Sequence, residues 1–98
     1  MNVVDPRLRL SAQRALLGAI YQEVRLVKVR RDGDRITFTA VCDKRFGDEA
    51  LDALTTAVAE IQADFPDCVI DEHILGSNDA VPAENLLEEG WVYRRAEP

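Results

Sequence analysis

Ninety-eight residues, 47% hydrophobic and 31% charged, have the size and composition of one ordinary globular unit and fall short of a deep multi-layer enzyme. No stretch approaches the roughly 20 apolar residues that span a bilayer. The net charge of −6 sets the chain against nucleic acid and anionic membranes as partners.

"MNVVDPRLRLSAQ" is interrupted by arginines and has no continuous apolar stretch, so it does not read as a secretion signal. In "SAQRALLGAIYQE" the apolar residues Ala12, Ala15, Leu16, Ala19 and Ile20 recur at helical spacing, and Leu8 extends the stripe. Ser11 can cap this helix through its hydroxyl oxygen; Asp5-Pro6 offers an earlier start, with proline at the first helical position.

Two β-rich runs follow in "VRLVKVRRDGDRITFTAVCD", flanking the turn-forming dipeptide Asp32-Gly33. With those two residues at the turn, Arg31 faces Asp34, Val29 pairs with Ile36 and Val27 with Phe38. Ala40 and Cys42 continue that face into the core. The opposite face carries Lys28, Arg30, Arg35, Thr37 and Thr39 and is open to solvent. "GDEALDALTTAVAEIQADFPD" is a second helix, with the stripe Leu51, Leu54, Val58, Ile61 and Phe65. Asp48, Glu49 and Asp52 suit the positive end of its dipole and Pro66 stops it, whereas Asp64 sits at the unfavourable end.

"CVIDEHIL" reads as a third strand. "GSNDAVPAENLLEEG" is a polar connection with room for a helical turn at 83–87, and "GWVYRRAEP" carries a fourth strand. The α-β-β-α-β-β order predicts an α+β two-layer sandwich, a mixed four-stranded sheet with both helices on one face, spanning 1–98 as a single domain. The third strand enters by a right-handed crossover through the second helix; a seat beside the first strand is one way to place it.

Asp71, Glu72 and His73 are the only acid–histidine cluster. Strand alternation puts Cys68, Ile70, Glu72 and Ile74 on the helix side and Val69, Asp71, His73 and Leu75 on the open side. The three polar groups therefore do not converge, and Asp71 and His73 would meet Lys28 or Arg30 if the third strand lay beside the first. One histidine is too few for a metal centre, and Ser11, Ser77, Cys42 and Cys68 lie in no nucleophile motif. No catalytic, cofactor or metal site is expected, and Cys42 and Cys68 are expected as reduced, half-buried core thiols of a cytoplasmic protein.

Charge is unevenly distributed. Through Arg45 ten Lys and Arg face five Asp and Glu (+5); from Phe46 onward two face thirteen (−11), together the −6. The acids Glu60, Asp64, Asp67, Asp71, Glu72, Asp79, Glu84, Glu88 and Glu89 form a candidate docking surface for a basic protein, with ordinary solubility as the plain alternative. Trp91 and Tyr93, on one face by strict alternation, are either binding anchors or core.

"RALLGAI", "EIQADFPD" and "EGWVYRRAE" resemble segments of small bacterial immunity proteins of contact-dependent inhibition and related polymorphic toxin systems, a likeness running from Ser11 to Glu97. The resemblance implies a cytoplasmic protein that binds and blocks a cognate toxin, many of which are nucleases with basic active-site surfaces. It assigns no contact residues. The expected partner is therefore a toxin protein, with no nucleic acid, no membrane and no cofactor. The alternatives are a small accessory or homo-oligomeric domain pairing through its open face or the edge of the second strand, and an enzyme built on His73 with Asp71 or Glu72.

Overall fold

The computed structural model describes residues 5–78 and 91–96. The elements follow in the order α1 (Pro6–Ala15), β1 (Val24–Asp32), β2 (Arg35–Cys42), α2 (Asp48–Asp64), β3 (Val69–Gly76) and β4 (Trp91–Arg94). The four strands form one mixed sheet in the order β3-β2-β1-β4. The α+β architecture with both helices on one side is thus the one the sequence indicates.

Asp5, not Ser11, caps α1: its carboxylate accepts from the Arg7 amide at 2.9 Å, and Pro6 takes the first helical position. The helix ends at Ala15, short of the expected extent, and Gly18 takes a φ of +79° in the turn that follows. Leu8, Ala12, Ala15, Leu16 and Ala19 are nonetheless all buried, so the apolar stripe survives the change of backbone.

The hairpin is offset from its expected register. Gly33 and Asp34 are the turn residues, with Gly33 at φ +64°, and Asp32 pairs with Arg35. Val29 therefore lies opposite Phe38 and Val27 opposite Ala40. The offset moves each partner by two positions, and because side chains alternate with period two, every residue keeps its assigned face. A positive φ at the first turn residue is common to both favoured hairpin turns, and glycine supplies it without steric cost.

β3 lies parallel to β2 rather than beside β1, pairing Ile36 with Ile70, Phe38 with Glu72 and Ala40 with Ile74. The chain leaves β2, crosses the sheet through α2 and returns alongside the strand it left. β2 is consequently an inner strand, which removes the pairing edge that the accessory-domain reading gave it.

Val27, Val29, Ile36, Phe38, Ala40 and Cys42 pack from the sheet against Leu8, Ala12 and Ala15 of α1 and Leu54, Ala57 and Ile61 of α2. The buried line of α2 runs through Ala50, Leu54, Ala57 and Ile61, whereas Leu51, expected in the stripe, is 37% exposed. Beyond the end of α2, the Gln62 side chain donates to the carbonyls of Phe65 and Cys68 at 2.9 and 2.7 Å, and the Cys68 amide also donates to the Phe65 carbonyl at 3.0 Å, which fixes the turn into β3.

Candidate functional site

The alternation read for β3 places its polar groups. Asp71 and His73 lie opposite Thr37 and Thr39 on the open face, and Glu72 projects to the helix side, exposed because β3 is an edge of the described sheet. Asp71 meets neither Lys28 nor Arg30. Its carboxylate takes a 2.6 Å hydrogen bond from Arg35, two residues behind its own partner on the neighbouring strand, and that contact holds the Arg35 guanidinium above its ordinary pKa. His73 is exposed. The acid–histidine run therefore divides between the two faces of the sheet.

Asp64 has a local reason for its place at the carboxyl end of α2. The hydroxyl of Ser11, a buried residue on α1, donates to it at 2.6 Å, and the Arg14 guanidinium stands 3.9 Å away. A carboxylate in the last turn of a helix is unfavourable by dipole alone. Here it joins α2 to α1, so the side chain that looked like a partner-facing acid is also a brace between the helices.

The remaining acids of the candidate surface are distributed differently. Glu60 and Asp67 are exposed on α2 and in the α2–β3 turn, and neither they nor Glu72 form a salt bridge among the described residues. Asp79, Glu84, Glu88 and Glu89, and the helical turn at 83–87, lie outside the described residues. Of the five described acids, two are thus engaged by N-terminal arginines or serine and three present their charge outward.

Of the aromatic pair, Tyr93 is half-buried against the core and lies opposite Val27. Trp91 is placed by its backbone opposite Lys28, and a bulge between these pairs breaks the strict alternation on which a shared face depended.

Two features gave no signal in the sequence. Arg25 sits at a bulge in β1, is 5% exposed, and donates to the Ser77 carbonyl at 2.6 Å. Arg95 forms a bidentate pair with Asp43 at 2.9 and 3.1 Å and reaches the Gln22 carbonyl. Both tie the end of β3 or β4 to the start of β1. A buried arginine can be anticipated only when its acceptors are known, and here they lie about fifty residues or more away in sequence.

Cys42 and Cys68 are both free and buried. Burial, reinforced by the charges of Glu23 and Asp43, pushes the Cys42 thiol up to about 11, so it is a packing group held in the thiol form.

No helix among the described residues is long and apolar enough to cross a membrane. What the arrangement offers is surface: Glu60 on α2, Asp67 in the α2–β3 turn and Glu72 on β3 are exposed and outside the salt bridges of the described residues. No curated protein matches the chain closely enough to provide a relative. The family model of the MafI2 immunity protein matches residues 5–97, which covers both helices and all four strands. The protein belongs to the MafI2 immunity protein family, whose role is immunity against a toxin.

Proposed function

We propose that the protein is a non-catalytic, cytoplasmic inhibitor that binds its cognate toxin domain and covers a basic surface on it, as a nuclease active site would present. The observation that carries this reading is the outward set of carboxylates, Glu60, Asp67 and Glu72, exposed and outside any described salt bridge in a chain of net charge −6. Asp64 and Asp71 are engaged within the protein by Ser11, Arg14 and Arg35 and contribute less to that set. Complementary charge of this kind accelerates encounter and rejects wrong partners more than it adds affinity.

The test is association kinetics with the toxin domain encoded beside this chain's gene. The expected result is a one-to-one complex whose association slows steeply with salt, because the screening length falls from about 10 Å at 0.1 M to about 3 Å at 1 M. An association rate indifferent to salt removes the electrostatic basis of the reading. Failure to form any complex removes the inhibitor itself.

A second reading has one observation in its favour. β3 is an eight-residue outer strand with Val69 and Leu75 both more than half exposed, a surface open to pairing with another copy. Light scattering across a concentration series decides it, and a strict monomer excludes it.

A further inference from the structure

Between α2 and the end of α1, with the turn that follows it, lies an open groove of about 380 Å³, the α1–α2 groove. Its floor is made of small apolar side chains, Ala15 and Ala19 on one side and Ala53 and Ala57 on the other. Glu49, Asp52 and Glu60 line the α2 wall with Thr56. These positions are separated by three or four residues, the spacing that stacks side chains along one line of a helix. At one end stand Leu17 and Tyr21; Leu17 is 79% exposed, on the turn that Gly18 allows through its positive φ.

The chemistry of this groove is mixed in a specific way. None of the three carboxylates forms a salt bridge among the described residues, and Glu49 and Asp52 repel each other at a spacing of three. The alanine floor gives a ligand apolar contact but no hydrogen bonds from its side chains. The volume is at the low end of the roughly 300–1,000 Å³ of ligand clefts, enough for a few side chains and too small for a folded element. A side chain with an apolar stem and a delocalised cationic head satisfies both the floor and the wall. Arginine has that form: its methylenes cover apolar surface while its guanidinium, more weakly hydrated than an ammonium, pairs with carboxylates in a bidentate fork.

We propose that the α1–α2 groove is the seat of an arginine-bearing segment of the protein partner, with the stems on the alanine floor and the guanidinium groups at Glu49, Asp52 and Glu60. This rests on the toxin-binding reading above and gives it a location. It moves the centre of the contact from the β3 side, where the sequence concentrates attention, to a surface on which Glu60 alone is shared between the two.

The experiment compares three variants of the full chain for binding to the toxin domain encoded by the neighbouring gene, with association and dissociation rates measured separately. Glu49→Lys with Asp52→Lys reverses two charges in the groove. Asp67→Lys with Glu72→Lys makes the same change of net charge on the β3 side. Thr56→Trp fills the groove at an exposed position and leaves the net charge alone. The groove pair and Thr56→Trp are each expected to raise the dissociation rate at least tenfold, whereas the β3-side pair slows association and leaves dissociation within threefold. Glu49→Gln with Asp52→Asn replaces the charge-reversed pair if thermal melting shows that pair to be unfolded. Wild-type dissociation from Thr56→Trp overturns the groove and leaves the inhibitor standing. So do equal losses in the two charge-reversed pairs confined to association, since the acids then steer without seating anything. Absence of binding by the wild-type chain removes both proposals together.

Discussion

Replacing Asp5 separates two contributions that the structure joins in one carboxylate. Its side chain accepts from the Arg7 amide at 2.9 Å and so caps α1; its second oxygen takes a 2.9 Å contact from Arg31, whose guanidinium lies 5.3 Å from the centre of the Phe65 ring at the end of α2. Losing an N-cap costs about 1 kcal/mol, within a range of about 0.5–2. A partly exposed ion pair adds at most about 1 kcal/mol, because solvent screens it. Asp5→Ala should therefore destabilise by about 1–2 kcal/mol, which for a chain of this length is a fall in Tm of about 4–15 °C. Asp5→Asn keeps an oxygen that can cap and loses only the charge, so at most about 1 kcal/mol should go. Urea unfolding of the wild type and both variants supplies the comparison. Equal losses in the two variants would refute the capping role, and an unchanged midpoint in Asp5→Ala would refute both roles.

The same carboxylate carries a pH signature. Partial desolvation pushes its pKa up, but the Arg7 amide and the Arg31 guanidinium outweigh this and the net shift is downward. A depressed carboxyl pKa stabilises the fold above the unfolded value, about 3.9, and that stability disappears as pH falls through the folded value. The difference between wild type and Asp5→Asn should therefore be constant near neutrality and close on acidification below about pH 4.

Three further outcomes follow from single contacts. In Gly76→Ala the new Cβ would stand 2.8 Å from the Lys44 carbonyl oxygen and 3.2 Å from the Phe46 ring, so unfolding should shift by about 1–3 kcal/mol, as overpacking does; an unchanged midpoint would show that the segment yields freely. Cys42, buried with its thiol pushed up to about 11, should resist iodoacetamide at pH 8 in the native protein and react once unfolded; because its pKa is raised, the protein should also lose stability as pH climbs from about 8.5 towards 11, a loss absent in Cys42→Ala. His73→Ala should leave both stability, within about 0.5 kcal/mol, and toxin neutralisation unchanged, since the ring is exposed on the open face; a large loss of neutralisation would give His73 a role that its surroundings do not suggest.

Local chemistry was legible in the sequence wherever a short-range rule governed it. Helix faces came from spacing, strand faces from alternation, and the stop of α2 from Pro66, because each depends on residues a few positions apart. The hairpin shows the limit of such rules. Asp32-Gly33-Asp34 contains two overlapping turn dipeptides, and the choice of Gly33-Asp34 puts the positive φ on glycine at the first turn position while pairing Asp32 with Arg35. Register depends on which dipeptide makes the turn, whereas the faces depend only on parity and are the same for both.

The roles of the acids were the least legible part. Asp64 and Asp71 are, by composition, the same as Asp67 and Glu72, yet the first two are bonded within the protein and the others are not. What separates them is which cation arrives from a distant element: Arg14 from α1, Arg35 from β2. Likewise the groove acids Glu49 and Asp52 read in the sequence only as favourable charges near a helix start, because its other wall is built from residues about thirty to forty positions earlier.

The sequence by itself determined the elements, their buried faces and the surplus of negative charge, all consequences of period, turn chemistry and composition. Tertiary structure alone decided that β3 returns beside β2, that α2 and the end of α1 leave a groove between them, and which carboxylates are bonded within the protein. Those outcomes depend on pairings between segments far apart in the chain, where no local preference favours one neighbour over another and only the packed core selects among them.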